Sequence, residues 1–139
     1  GGPPLMSTIQ KFPFASDGNS SDVSDLTLPR YAHAGQSSAD NGYNSGGYAP
    51  TVPGVTNVID KFPFSSDGNA TDVGDLTGGR YQTGGGNSSA VASYFAGGTT
   101  APGATTNAIE KIPFAAGGTA TDVGDRARFD DQSQTDDGG

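Results

Sequence analysis

The sequence predicts an all-β chain assembled from about three copies of one small four-stranded module. Three observations predict it. A phrase recurs with a spacing of fifty residues, as IQKFPFASDGNSSDVSDLTLPR from Ile9, IDKFPFSSDGNATDVGDLTGGR from Ile59 and IEKIPFAAGGTATDVGDRAR from Ile109. Within each phrase the apolar residues alternate with polar ones at the period of a half-buried strand. Between the apolar segments lie clusters of Asp, Gly, Asn and Ser, and no stretch of a dozen residues carries a helical stripe with a cap.

Composition alone points the other way, and the repeat decides against it. Leu, Ile, Val and Phe supply only 22 of 139 residues and the net charge is -8, a balance that resembles disordered chains. Only 16% of residues are charged, however, and Gly, Pro, Asp and Arg stand at fixed offsets. A disordered linker has no physical reason to hold such offsets. A packed repeat does, because each copy presents the same surfaces to its neighbours.

The same numbers exclude several classes of function. Cysteine is absent, which removes disulfides, thiolate metal sites and cysteine nucleophiles. A sequence pI near 4.2 with seven Lys and Arg leaves no basic stripe to neutralise phosphates, so nucleic acid is not an expected partner. No apolar run approaches the roughly 18 residues of a helical membrane span, and no membrane insertion is expected.

The copies align residue by residue. Ile9, Ile59 and Ile109 correspond, as do Lys11, Lys61 and Lys111, Phe14, Phe64 and Phe114, Asp22, Asp72 and Asp122, and Asp25, Asp75 and Asp125. Arg30 and Arg80 match in the first two copies, after which Tyr43 and Tyr94, and the doublets Gly46-Gly47 and Gly97-Gly98, lie fifty-one apart, one insertion in a loop. In the middle copy Asn57 to Phe64 reads as a strand, with Pro63 at its end or at an edge because proline cannot donate to a ladder. The turn-forming SSDGNATD follows, then a short strand in DVGDLT, completing a hairpin. The stretch from Gln82 to Phe95 offers two further short strands before Gly97-Gly98.

A tyrosine strand ending in Gly-Gly, a V-I-D-K-F strand, a turn and a short segment ending in Arg occur in the order of the kelch repeat, which residues 1 to about 125 resemble. The tryptophan usual in that repeat is missing, and DVGDLT stands in its place, with Val73 or Leu76 as the expected substitute. The resemblance implies β-propeller blades in units near residues 1–46, 47–97 and 98–126, with residues 127–139 as an acidic tail or linker. Propellers close with four to eight blades, so the ring is incomplete, to be finished by another chain or by the rest of a longer protein. The third copy lacks a Tyr-x-x-Gly-Gly strand of its own, which Gly1-Gly2 at the start of the chain is expected to supply. The wording IDKFPF…DGNATDVGDLT is also similar to kelch-like repeats of virion and tail-associated proteins of phages infecting aquatic bacteria. That likeness implies an extracellular or virion location and a structural or host-contact role.

Each candidate site residue also has a plainer reading. Asp17, Asn19 and Asp22, repeated as Asp67, Asn69 and Asp72, group oxygens as a calcium ion would take them. Such residues also bond their own backbone two residues on, and the third copy, AAGGTATD, has lost two of the three oxygens, so no metal residue is assigned. Asp60, Lys61, Arg30 and Arg80 recur with the repeat, which assigns them to a solvated rim or to hydrogen bonds tying one module to the next. His33, the single histidine, aligns with Thr83 and has no recurring Ser or Asp companion. TGGGNSS lacks the Lys-Ser/Thr ending of a phosphate loop. No catalytic, metal or cofactor-binding residue is therefore expected. The expected function is that of a non-enzymatic structural or attachment protein, partnered by other proteins or copies of itself that complete the sheet, with a surface glycan as a further partner. The alternatives are a filament-forming extracellular surface protein and a kelch-type carbohydrate-active enzyme of the galactose-oxidase kind. The enzyme is disfavoured because its copper needs Tyr, His and Cys ligands and the chain has one His and no Cys.

Overall fold

A computed structural model of the chain describes residues 5–52, 54–81, 86–100 and 103–127. The Gly1-Gly2 doublet and all but the first residue of the expected tail lie outside the described residues. The described residues are all-β, without helices. An initial hairpin pairs β1 (Thr8–Lys11) with β2 (Ser21–Asp25). A first antiparallel meander runs through β3 (Ala34–Ser37), β4 (Asn41–Ser45), β7 (Val58–Pro63) and β8 (Thr71–Asp75), with a small ribbon of β5 (Tyr48–Ala49) and β6 (Gly54–Val55) in its long connection. A second meander repeats it with β9 (Gly86–Ser88), β10 (Ala92–Ala96), β11 (Ala108–Pro113) and β13 (Thr121–Asp125). Among the described residues none of the sheets closes on itself.

Local chemistry accounts for these elements. Val58–Pro63 and Ala108–Pro113 end on the prolines that cannot extend a ladder. Each phrase carries a register shift at the same place, Ile9/Gln10, Ile59/Asp60 and Ile109/Glu110, so the repeat preserves a bulge as well as a sequence. Each Gly-Gly strand pairs with the phrase that follows it, β4 with β7 and β10 with β11. The third phrase thus pairs with the tyrosine strand just before it. Among the described residues the first phrase forms only the β1–β2 hairpin. The eleven residues between β10 and β11, like the twelve between β4 and β7, close an antiparallel pair of strands that are near in the chain.

The core lies between the two meanders. Tyr43, Ile59 and Leu76 of the first meet Phe95, Ile112 and Ala120 of the second, and Val73 and Phe114 pack at the margin. Residues opposite one another in an antiparallel pair share a face, so Tyr43 and its partner Lys61 look toward the second meander, while Phe95 and its partner Glu110 look back toward the first. The Tyr43 and Phe114 rings stack across the junction with centroids 4.8 Å apart at 26°. Of the two residues expected to stand for the missing tryptophan, Leu76 is fully buried in this junction and Val73 flanks it. Burying Phe95, Ile59 and Leu76 contributes about 1.5–3 kcal/mol each. That apolar contact is what the meanders gain by stacking.

Candidate functional site

The recurring charges converge at the junctions between sheets. Asp60 sits in the middle of β7 with no exposed surface, and its carboxylate faces the segment that follows β2. It accepts hydrogen bonds from the Thr27 backbone N–H at 2.9 Å and from Thr27 Oγ1 at 2.7 and 2.8 Å. Arg30 completes the set, donating from Nη2 to Asp60 at 3.0 Å and to the Asn44 carbonyl at 3.0 Å. One repeat later the arrangement recurs. Glu110, equally buried on β11, accepts from the Thr77 N–H at 2.7 Å and pairs with Arg80, whose Nη1 donates to the Gly97 carbonyl at 3.2 Å. The backbone donor lies 33 residues before the carboxylate in both cases. An arginine suits this position because its fork can serve a carboxylate and a carbonyl at once while staying charged. Burial pulls the Arg30 guanidinium below the usual arginine range, and the charges of Asp60 and Asp72 oppose that shift. Arg80 is lowered by burial in the same way, with Asp122 opposing.

The glycine doublet belongs to this latch. Gly46 and Gly47 both take positive φ, +66° and +108°, and a side chain on Gly46 would meet the Arg80 carbonyl at 2.6 Å. The Gly47 N–H donates to that carbonyl at 2.8 Å. The loop carrying the arginine therefore lies directly on the doublet, which only glycine permits.

The Asp-Gly-Asn turn forms the second fastening. Asn69 Oδ1 accepts from the Asp25 N–H at 3.1 Å, the Ala70 N–H donates to the Asp25 carbonyl at 2.8 Å, and Asp67 pairs with Lys11 at 3.2 Å. The residues weighed as cation ligands thus reach from the first meander to the edge of the hairpin. Asp72 and Asp122 bond their own backbone, accepting from Gly74 and Gly124 at 3.1 and 3.0 Å, the Asx geometry named as the plainer reading. In the third copy, which lacks the Asp and Asn of this turn, the same fastening is made by backbone. There β12 (Gly118–Thr119) pairs in parallel with β8 and the Ala120 N–H reaches the Asp75 carbonyl at 2.7 Å. An Asn69→Ala variant is expected to lose about 0.5–1.5 kcal/mol in urea unfolding, one hydrogen bond's worth, whereas Lys11→Ala loses little because its ion pair is solvated.

His33 is exposed beside Arg30; desolvation, then the Arg30 charge, lowers its imidazole below the usual histidine range. Among the described residues no group of three or more His, Cys, Asp or Glu side chains is placed to hold a metal ion. A shallow groove on the other flank is lined by Gln36, Asn44, Phe62, Phe64 and Ser88, with Phe62 lying over Gly42. Sequence reasoning left Asp60, Lys61 and the arginines to a solvated rim or to ties between modules; burial puts Asp60, Arg30 and Arg80 among the ties, and the pairs were not given. The usable signal was the matched exchange at one position, Asp60 for Glu110, each thirty residues after an arginine.

Compared with models of protein families and with curated proteins, the chain matches none.

Proposed function

We propose that this chain is a non-enzymatic β-repeat protein of the kelch-like propeller type. Its meanders are blades, and it serves as a structural or attachment component at the outside of a virion or tail fibre, touching host surface or other virion proteins. One observation carries the reading. The polar residues that recur are consumed in fastening sheet to sheet, as in Arg30–Asp60–Thr27 and Arg80–Glu110–Thr77, so the repeat builds a scaffold and leaves its variable loops for contact. Those loops carry exposed apolar tips. Val52 sits in the β5–β6 connection and Val91 in the β9–β10 turn, 40% and 70% exposed. Weak contacts of that kind become useful through repetition at fixed spacing. The virion location rests on the likeness of wording alone.

The test is to display the biotinylated chain on tetravalent streptavidin and measure its retention on bacterial cells and on a glycan array. Retention on one class of surface at least about a hundredfold stronger than that of the free chain, and weakened by Val52→Ser with Val91→Ser, is the expected result. Equal, negligible retention of both forms on every surface would overturn it.

A further inference from the structure

The two open faces of the chain are unlike each other and match as the inner junctions do. At the second junction Phe114 stacks on Tyr43, and Ile112 and Ala120 pack with Ile59 and Leu76. At the first, Lys11 pairs with Asp67 and the Asp25 edge receives Asn69 and Ala70. Most of these groups have a counterpart on an open face; at the position of Leu76 the second meander has Arg126. The hairpin presents Phe14, 96% exposed, with Phe12 beside it and the turn Asp17-Gly18-Asn19. The second meander presents Tyr94, Lys111 and the uncovered strand β13, with Val123 half exposed.

We infer that these faces are the two halves of one junction, and that a second copy of this chain seats its Phe14 face on the Tyr94 face of the first. Phe14 would stack on Tyr94 as Phe114 does on Tyr43. Asp17 would pair with Lys111 as Asp67 does with Lys11, and Asn19 would cap the Asp125 N–H as Asn69 caps that of Asp25. Charge agrees with this pairing. At the position of the buried carboxylates Asp60 and Glu110 the hairpin has the neutral Gln10, and fifty residues on from Arg80, where the repeat would place a further arginine, the sequence has Asp130. Without an arginine at that repeat position a carboxylate at position 10 would gain no counter-ion from it, and a neutral amide avoids that cost. The contact is heterologous, so it propagates to a ring or to a filament. It does not rest on the attachment role, since it follows from junction geometry.

The test uses the whole chain and two blocking variants in sedimentation velocity. Phe14→Asp blocks one face and Val123→Asp the other, and both sites are exposed enough for the fold, checked by circular dichroism, to be retained. The expected result is that the parent chain self-associates with rising concentration and each variant alone is monomeric. An equimolar mixture of the two then stops at a one-to-one complex, because each contributes its intact face. Asp17→Lys weakens association by up to about fivefold, as a solvated ion pair allows, and Lys111→Asp in the same chain restores it. A parent chain that stays monomeric, or a mixture of the two variants that does not associate, overturns the inference. So does self-association that both variants retain.

Discussion

Replacing Arg30 with alanine is expected to destabilise the chain by about 3–5 kcal/mol, measured as a fall in the urea midpoint with little change in slope. The expectation follows from what remains. Asp60 has no exposed surface, and without Arg30 its charge stays between the hairpin and the first meander with only Thr27 to satisfy it. A buried pair adds little over an apolar pair of the same shape, but half a pair is costly. Asp60→Asn should be milder than Asp60→Ala, since an amide oxygen can still accept from the Thr27 N–H. The double variant Arg30→Met with Asp60→Leu should recover much of the loss but not all, because the Thr27 N–H then loses its acceptor at a cost of about 1–3 kcal/mol. A loss below about 1 kcal/mol for Arg30→Ala would mean that the pair is solvated and the latch is not a determinant of stacking.

How much of this was legible in the sequence depends on whether a feature is local. Strand positions were, because alternation and proline fix Val58–Pro63 and the turn residues fix the hairpin that leads to Thr71–Asp75. The grouping of strands into sheets was not. A Gly-Gly strand lies between two phrases and periodicity is indifferent to which of them it joins; only the paired register shows that Tyr43 faces Lys61 and not the phrase before it. The latch was half legible. Recurrence says that Arg30 and Arg80 do something every copy needs, yet burial of a charge is a property of the assembled junction and leaves no trace in composition. The third-copy turn shows the same limit. Loss of its Asp and Asn reads as decay, whereas Gly117 and Gly118, both at positive φ, allow backbone to approach Gly74 so closely that a side chain on Gly74 would collide with the Gly118 carbonyl. The side-chain fastening has been exchanged for a ladder, and glycine is the residue that permits it.

Truncating Phe95 to alanine should cost about 3–5 kcal/mol, the range for a large aromatic removed from a sealed core. Phe95 stands on β10 with no exposed surface, and the cluster it completes draws Tyr43, Ile59 and Leu76 from one meander and Ile112 and Ala120 from the other. Because that cluster belongs to both sheets, its failure strips the shared apolar face from each. The loss should therefore appear as one transition at lower denaturant, read alike by tyrosine fluorescence and by far-ultraviolet circular dichroism. Phe14→Ala is the internal control: it removes the same kind of ring from a place 96% exposed and should move the fold of the isolated chain by less than about 0.5 kcal/mol. Two separated transitions for Phe95→Ala, or equal costs at the two positions, would show that the meanders stand independently. Against a typical domain stability of about 5–15 kcal/mol, the predicted loss is large enough that the variant should be partly unfolded at moderate temperature while the Phe14 variant is not.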